Sequence, residues 1–133
     1  MSFVADSNIL LRVVQDNHPH HPEATRATAS IIRQGETVYV LPQNLYELWV
    51  VATRPIDQNG LGMSAAEASA ELAKIKGLFQ LLGDTPDIYP EWERLVSRHK
   101  VLGKNAHDAR IVAAMITHRI THLLTFNVDD FNY

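Results

Sequence analysis

The sequence predicts an α/β domain in which helices cover both faces of a four-stranded parallel sheet. Short apolar runs alternate with longer segments whose apolar residues recur with a helical period. Parallel strands need such crossovers, so the alternation favours a parallel sheet buried on both faces. The chain has 133 residues, of which 46% are hydrophobic and 20% charged, as expected for one globular domain over 1–133.

The first half of the chain contains two of the predicted strands. Phe3-Val4-Ala5 forms a short buried strand, and the apolar-periodic residues that follow predict a helix over about 7–14. A second helix is predicted over about 22–33, and "TVYVLP" at 37–42 gives the second strand. Pro42 suits the first turn of a helix, which we expect to run to about Thr53, where Arg54-Pro55 ends it.

The second half continues the same alternation. The stretch 56–63 has two glycines and no clear period, which predicts a loop. Ser64 and Glu67 have the spacing of a capping box, so a helix should begin there and run to about Lys76. We then expect a strand in "LFQLLG" at 78–83, helices over about 90–99 and 107–119, and a last strand in "HLLTF" at 122–126.

Composition excludes several classes of protein. The chain has no cysteine, which excludes disulfides, thiolate metal sites and cysteine nucleophiles. No apolar run approaches the roughly 20 residues of a membrane-spanning helix, and the first residues lack a signal peptide, so we expect a cytoplasmic protein with no membrane contact. The formal charge of −3 argues against bulk-charge binding of nucleic acid, although a local basic patch stays compatible with it.

Three acidic residues stand out against this apolar scaffold. In "FVADSNIL", Asp6 lies where the first strand ends and its helix begins, the place where open α/β sheets bind ligands. Glu47 lies in the otherwise apolar "NLYELWVVA", where a buried charge needs a partner, although a surface glutamate is an equal alternative. Asp108 opens "HDARIVAAMI" on the inward face, where it could also be a simple helix-terminal acid.

A polar cluster follows the last predicted strand. "LLTFNVDDF" places Thr125, Asn127, Asp129 and Asp130 just beyond it, although such residues are also usual in turns. Together with the three acids, these residues could line one edge of the sheet. Several carboxylates at one place either take up protons or hold cations. An all-oxygen site prefers Mg²⁺ or Mn²⁺ and commonly serves phosphodiester hydrolysis, so the cluster predicts a metal-dependent phosphodiesterase.

The combination of motifs resembles the PIN-domain family. "ADSNILL", "LPQNLYELWVVATRP", "GKNAHDARIVAAM" and "LLTFNVDDF" occur in that order and spacing over essentially the whole chain. More specifically, the chain is similar to the VapC toxin ribonucleases of bacterial type II toxin–antitoxin pairs. The resemblance implies an Mg²⁺- or Mn²⁺-dependent endoribonuclease that acts on RNA, forms a homodimer and is held inactive by a small antitoxin protein.

The resemblance also implies roles for individual residues. Asp6, Glu47 and Asp108 match the three acidic positions that hold the metal. Ser7, Asn8 and Thr125 match supporting polar positions. The remaining catalytic position falls on Asn127, where many relatives have Asp, or on Asp130, the nearest acid; Asp129 resembles a surface residue. Arg110 could contact an RNA phosphate, although a solvated face explains it nearly as well.

The family fold implies a three-layer arrangement with strand order 3-2-1-4. Relatives usually continue into a fifth edge strand, which is missing from a sequence that ends at Tyr133; either the sequence is truncated before that strand or the sheet has four strands. Two alternatives to a nuclease stay open. Asn127 is compatible with a degenerate RNA- or protein-binding module without catalysis. An Asp-nucleophile phosphatase is less favoured, because that class needs a second Asp where this chain has Asn8.

Overall fold

The sheet and its helices follow the predicted alternation closely. The computed structural model describes residues 1–131, without the side chains of residues 129 and 130. Within that part of the chain the strands are β1 (Ser2–Ala5), β2 (Thr37–Val40), β3 (Gln80–Leu81) and β4 (His122–Leu124). The helices are α1 (Ser7–Val14), α2 (His21–Arg33), α3 (Pro42–Thr53), α4 (Ala65–Leu78), α5 (Ile88–Arg98) and α6 (Asn105–His118), with 3₁₀ turns at Ile56–Gln58 and Val128–Phe131.

The four strands form one parallel sheet in the order β3-β2-β1-β4, which confirms the predicted class and strand order. In the central pair, Val4 lies opposite Tyr39, and Val4 also lies opposite Leu123 on the other side. Because all strands point the same way, their carboxyl ends meet at one edge of the sheet. Residues that follow β1, β2, β3 and β4 are therefore brought to a common edge.

Alternating side chains of the strands supply two separate cores, one on each face. Ala5, Val38 and Val40 face the core that contains buried residues of α1, α2, α3 and α4. Val4 points to the opposite core, which is built mainly from α5 and α6. This alternation gives three layers, with helices on both faces of the sheet.

Several element bounds differ from the sequence-based expectation. The predicted loop 56–63 contains a short 3₁₀ turn, and α4 continues to Leu78. Most of the predicted strand 78–83 is therefore helix or loop, and β3 keeps only two residues. Helix α6 begins at Asn105 instead of His107, directly after the turn at Gly103, whose φ is +57°. In the part of the chain that the structure describes, no helix has the length and apolarity needed to cross a membrane.

Candidate active site

Asp6 lies at the carboxyl end of β1 and caps the first turn of α1. Its carboxylate accepts hydrogen bonds from the Ser7 backbone N–H at 2.8 Å and from the Thr125 hydroxyl at 2.9 Å. Asn8 Nδ2 donates to the same carboxylate at 3.3 Å. Only 5% of Asp6 is exposed. A carboxylate with this many donors is held in one orientation.

Asn8 and Thr125 tie the end of β4 to the start of α1. Asn8 Nδ2 donates to Thr125 Oγ1 at 3.0 Å, and the Phe126 N–H donates to Asn8 Oδ1 at 3.1 Å. The Thr125 hydroxyl also accepts from the Asn127 N–H at 3.0 Å. The predicted supporting residues therefore form one network around Asp6. Its members come from sequence positions that are more than a hundred residues apart.

Glu47 is half-buried on α3, so the surface-glutamate alternative is not realised. Burial, followed by the negative charges of Asp6 and Asp108, raises the pKa of Glu47 from its ordinary 4.5 to about 7. Ser7 and Gln43 lie near enough to oppose this rise. Among the described residues, however, none forms a hydrogen bond with the buried Oε1. The site therefore holds a carboxylate oxygen that lacks a donor or a cation.

Asp108 lies in the first turn of α6, next to the positive end of the helix dipole. Its charge contributes to the raised pKa of Glu47, so α6 and α3 bring these two carboxylates close together. Asp6 acts on Glu47 in the same way. The structure thus places Asp6, Glu47 and Asp108 in one electrostatic cluster at the carboxyl edge of the sheet.

Gln43 is a site residue that the sequence did not reveal. It is only 7% exposed, and its Nε2 donates to the His107 carbonyl at 2.7 Å. Its Oε1 accepts from Arg110 at 3.4 Å. Gln43 therefore links α3 to the first turn of α6, directly before Asp108. The available signal was a neutral amide one helical turn before Glu47, on a helix that is otherwise mostly apolar.

Arg110 does not project freely as a phosphate-binding group. Its guanidinium forms an ion pair with Asp84 at 3.2 Å, in addition to the contact with Gln43. Asp84 belongs to the segment that follows β3, so the pair connects that segment to α6. The Arg110 side chain is 34% exposed, and an RNA phosphate contact for it stays a prediction.

A groove of about 600 Å³ opens beside the acids. Ser7, Gln43, Glu47 and His107 form its polar part. Its apolar wall comes from α1 and α3 and consists of Leu11, Tyr46, Val50 and Val51, with Arg54 at one side. The groove gives a polymer access to Glu47 while a large part of its wall excludes water.

Asn127 reaches the Asp6 network through its backbone only. Its N–H donates to the Thr125 hydroxyl, while the residue itself is exposed and no described contact joins its side chain to the acids. The side chains of Asp129 and Asp130 lie outside the described residues. The choice between Asn127 and Asp130 for the fourth position therefore stays a prediction.

The donor chemistry fits a divalent cation. Glu47 offers a buried oxygen without a partner, beside two further carboxylates, and all-oxygen donors are those that Mg²⁺ and Mn²⁺ select. No group of three or more carboxylates or imidazoles among the side chains described is already arranged around a common ion position. A cation would therefore have to draw these groups together.

Known proteins with the same fold include VapC toxins and their complexes. VapC20 of Mycobacterium tuberculosis, a toxin that cleaves the sarcin-ricin loop, has a TM-score of 0.73 at 19% identity, over 96% of this chain and 92% of its own. VapBC2 of Rickettsia felis, bound to a DNA fragment from its promoter, has a TM-score of 0.73 at 15% identity, over 98% of this chain and 91% of its own. VapBC-1 of nontypeable Haemophilus influenzae has a TM-score of 0.70 at 16% identity, over 98% of this chain and 90% of its own.

A family model agrees with the structural similarity, although no curated protein sequence matches the chain. The family model described as "PIN domain" matches residues 3–132, which include every element of the fold and all the acids of the candidate site. The chain therefore belongs to the PIN domain family.

Proposed function

We propose that this protein is a metal-dependent endoribonuclease and the toxin of a type II toxin–antitoxin pair. The observation that carries the proposal is the half-buried Glu47, which has a partnerless oxygen and lies beside Asp6 and Asp108 in an open groove. Such a cluster is costly without a cation, and selection for stability alone gives no reason to keep it.

Asp6, Glu47 and Asp108 would hold Mg²⁺ or Mn²⁺. The chemistry that such an ion supplies when bound is activation of the attacking water and stabilisation of charge on the leaving oxygen. With a pKa of about 7, the Glu47 carboxyl binds a proton for part of the time at neutral pH. Release of that proton would accompany cation binding.

Other residues of the chain orient these acids. Thr125 and Asn8 fix the Asp6 carboxylate, and Gln43 holds the first turn of α6 through the His107 carbonyl. Small displacements of ligands cost activity in sites of this kind, so such supporting contacts matter to the rate. Asn127 and Asp130 are the candidates for the fourth position.

The substrate and partner are proposed from the structural relatives. One of them is a toxin that cleaves the sarcin-ricin loop, and two are VapBC assemblies. We extend RNA cleavage and binding of a small antitoxin protein to this chain on that basis; a homodimeric state is proposed from the family resemblance alone. Cytoplasmic localisation follows from the same proposal, since the substrate would be cellular RNA.

The test is a time course with a panel of labelled single-stranded RNAs. Wild type should cleave with Mg²⁺ or Mn²⁺ and stop when a chelator is added. Asp108→Asn keeps the shape of the side chain and loses its charge, so it should abolish cleavage while RNA binding survives. Asp57→Asn is the matched control, because Asp57 is an exposed acid on the 3₁₀ turn beyond α3.

Cleavage that persists in Asp108→Asn, or that ignores the chelator, would contradict the proposed site. The alternative is a degenerate binding module, which the exposed Asn127 at an expected acidic position favours. That module would bind RNA or protein, and the wild type loaded with metal would cleave no RNA in the panel.

A further inference from the structure

A second cavity lies at the same edge of the sheet and belongs to no role assigned above. Its volume is about 400 Å³, and its wall contains Thr85, Tyr89, Trp92 and Arg110. The segment after β3 and helix α5 supply most of this wall. We propose that the cavity is a nucleobase-binding subsite, which holds one unpaired base of the RNA beside the scissile region. This inference rests on the proposed ribonuclease function.

The aromatic wall has the form of a stacking surface. The rings of Tyr89 and Trp92 have centroids 5.7 Å apart and planes inclined at 31°. Tyr89 is 61% exposed, an unusual position for a large ring that covers no core. The Trp92 ring is held in place because its Nε1 donates to the Ala106 carbonyl at 2.8 Å. Unpaired bases bind proteins by stacking on exposed rings of this kind.

Thr85 supplies a polar group at the same place. Its hydroxyl oxygen is buried, and among the described residues it has no hydrogen-bond partner. A buried hydroxyl without a partner costs free energy that a ligand can recover. A hydroxyl both donates and accepts, so it can pair with an edge group of any base. The combination of two rings and one unsatisfied hydroxyl therefore fits a base better than an aliphatic side chain.

The charges of the cavity favour a neutral base over a phosphate. Arg110, the cation in its wall, is paired with Asp84 at 3.2 Å, so little net positive charge is available for an anion. The Tyr89 hydroxyl donates to Glu93 at 3.0 Å, which places a further carboxylate at the rim. The paired guanidinium still offers a planar face on which a base can stack.

Two hydrogen bonds connect this cavity to the acid cluster. Trp92 holds the Ala106 carbonyl and Gln43 holds the next carbonyl, that of His107. These two carbonyls belong to the turn of α6 that carries Asp108. Gln43 also contacts Arg110. The wall of the cavity and the groove beside Glu47 are therefore joined through the Gln43–Arg110 contact and through the first turn of α6, so one RNA strand could reach both.

The test uses a labelled single-stranded RNA of about ten nucleotides, with fluorescence anisotropy in the Asp108→Asn background and cleavage kinetics in the wild-type background. Loss of one stacked base should weaken binding about ten-fold in Tyr89→Ala. Tyr89→Phe keeps the ring and should bind like the parent. Thr85→Val removes the hydroxyl and should weaken binding about five-fold.

An abasic scan distinguishes a base pocket from general weakening. When each base is removed in turn, one position of the RNA should be most sensitive with the parent protein. In Tyr89→Ala, removal of that base should weaken RNA binding no more than removal of any other base, because the base and the ring contribute to the same contact. Ile116→Ala is the control, since Ile116 is an exposed apolar residue at the far end of α6.

The outcomes separate the subsite from the nuclease. If wild type cleaves RNA while Tyr89→Ala binds and cleaves like wild type, the subsite is overturned and the nuclease stands. If Tyr89→Ala changes the oligomeric state and leaves RNA affinity unchanged, the aromatic face contacts protein and the subsite is again overturned. RNA that binds with the expected abasic pattern but is never cleaved supports the subsite and contradicts the nuclease. Absence of both binding and cleavage overturns both.

Discussion

Replacement of Glu47 by glutamine should stabilise the metal-free protein at alkaline pH. The pKa of Glu47 is raised to about 7 in the folded protein, from the ordinary 4.5. Between these values the folded protein binds a proton that the unfolded chain has released, so stability falls as the pH rises through this window. Above pH 7 the folded protein carries the full cost of an ionised Glu47. The variant Glu47→Gln has no such cost, because its amide side chain is neutral at every pH.

The size of the effect follows from the shift. At about 1.4 kcal/mol per pKa unit, a shift from 4.5 to about 7 gives an upper bound of about 3.5 kcal/mol. Glu47 is only half-buried, and solvent screens the exposed part of the carboxyl. We therefore expect about 1–2 kcal/mol after this discount.

Urea unfolding of chelated protein at about pH 5 and about pH 8 measures this difference. The other ionisable groups are the same in wild type and in Glu47→Gln, so the difference between the two proteins isolates Glu47. The loss of unfolding free energy from the lower to the higher pH should be larger in wild type by the stated amount. Asp57→Asn, which removes an exposed acid, is the matched control. Parallel curves for wild type and Glu47→Gln would refute the reasoning that burial, together with the charges of Asp6 and Asp108, destabilises an ionised Glu47.

Three further results are expected at the site. Mg²⁺ or Mn²⁺ should raise the melting temperature by binding the folded state, and Asp6→Asn should sharply reduce that rise; an unchanged rise in scanning fluorimetry would exclude Asp6 as a ligand. Asn127→Ala and Asp130→Ala should differ in cleavage activity and in metal affinity measured by calorimetry. The variant with the larger losses identifies the fourth position, and equal small losses would assign that position to neither residue. Gln43→Leu should destabilise the protein by about 0.5–1.5 kcal/mol in urea unfolding, because the hydrogen bond from Gln43 to the His107 carbonyl is lost, and a change within error would mean that water replaces the amide.

Much of the fold could be predicted because local signals and tertiary packing agree. Helix α1 begins at its predicted residue because Asp6 caps it, and α3 is bounded by Pro42 and by Arg54-Pro55 as expected. The third strand could not be placed correctly. Leu78 and Phe79 continue an apolar pattern that suits either a strand or a helix end. Leu78 is the last residue of α4, and Phe79, which is extended, caps the helix by donating its N–H to the Ile75 carbonyl.

The acids of the site could be predicted for a similar reason. A carboxylate at a strand end or within an apolar helix is a conspicuous exception, and Asp6, Glu47 and Asp108 are all of this type. Gln43 and Thr85 could not be found in that way, because a neutral amide or hydroxyl is common anywhere in a sequence. Their importance depends on tertiary contacts, such as the hydrogen bond that Gln43 donates to the His107 carbonyl. No local sequence pattern encodes such a contact.

The position of β1 in the centre of the sheet has a consequence for biosynthesis. β1 precedes the other described strands in the chain, yet it pairs with β4, which follows all of them. Thr125 likewise reaches Asp6 across 119 residues. A nascent chain therefore cannot orient Asp6 through Thr125 until the segment that contains β4 has been synthesised. The contact that the proposed chemistry needs joins two distant parts of the sequence, so it cannot form while the segments between them are still being made.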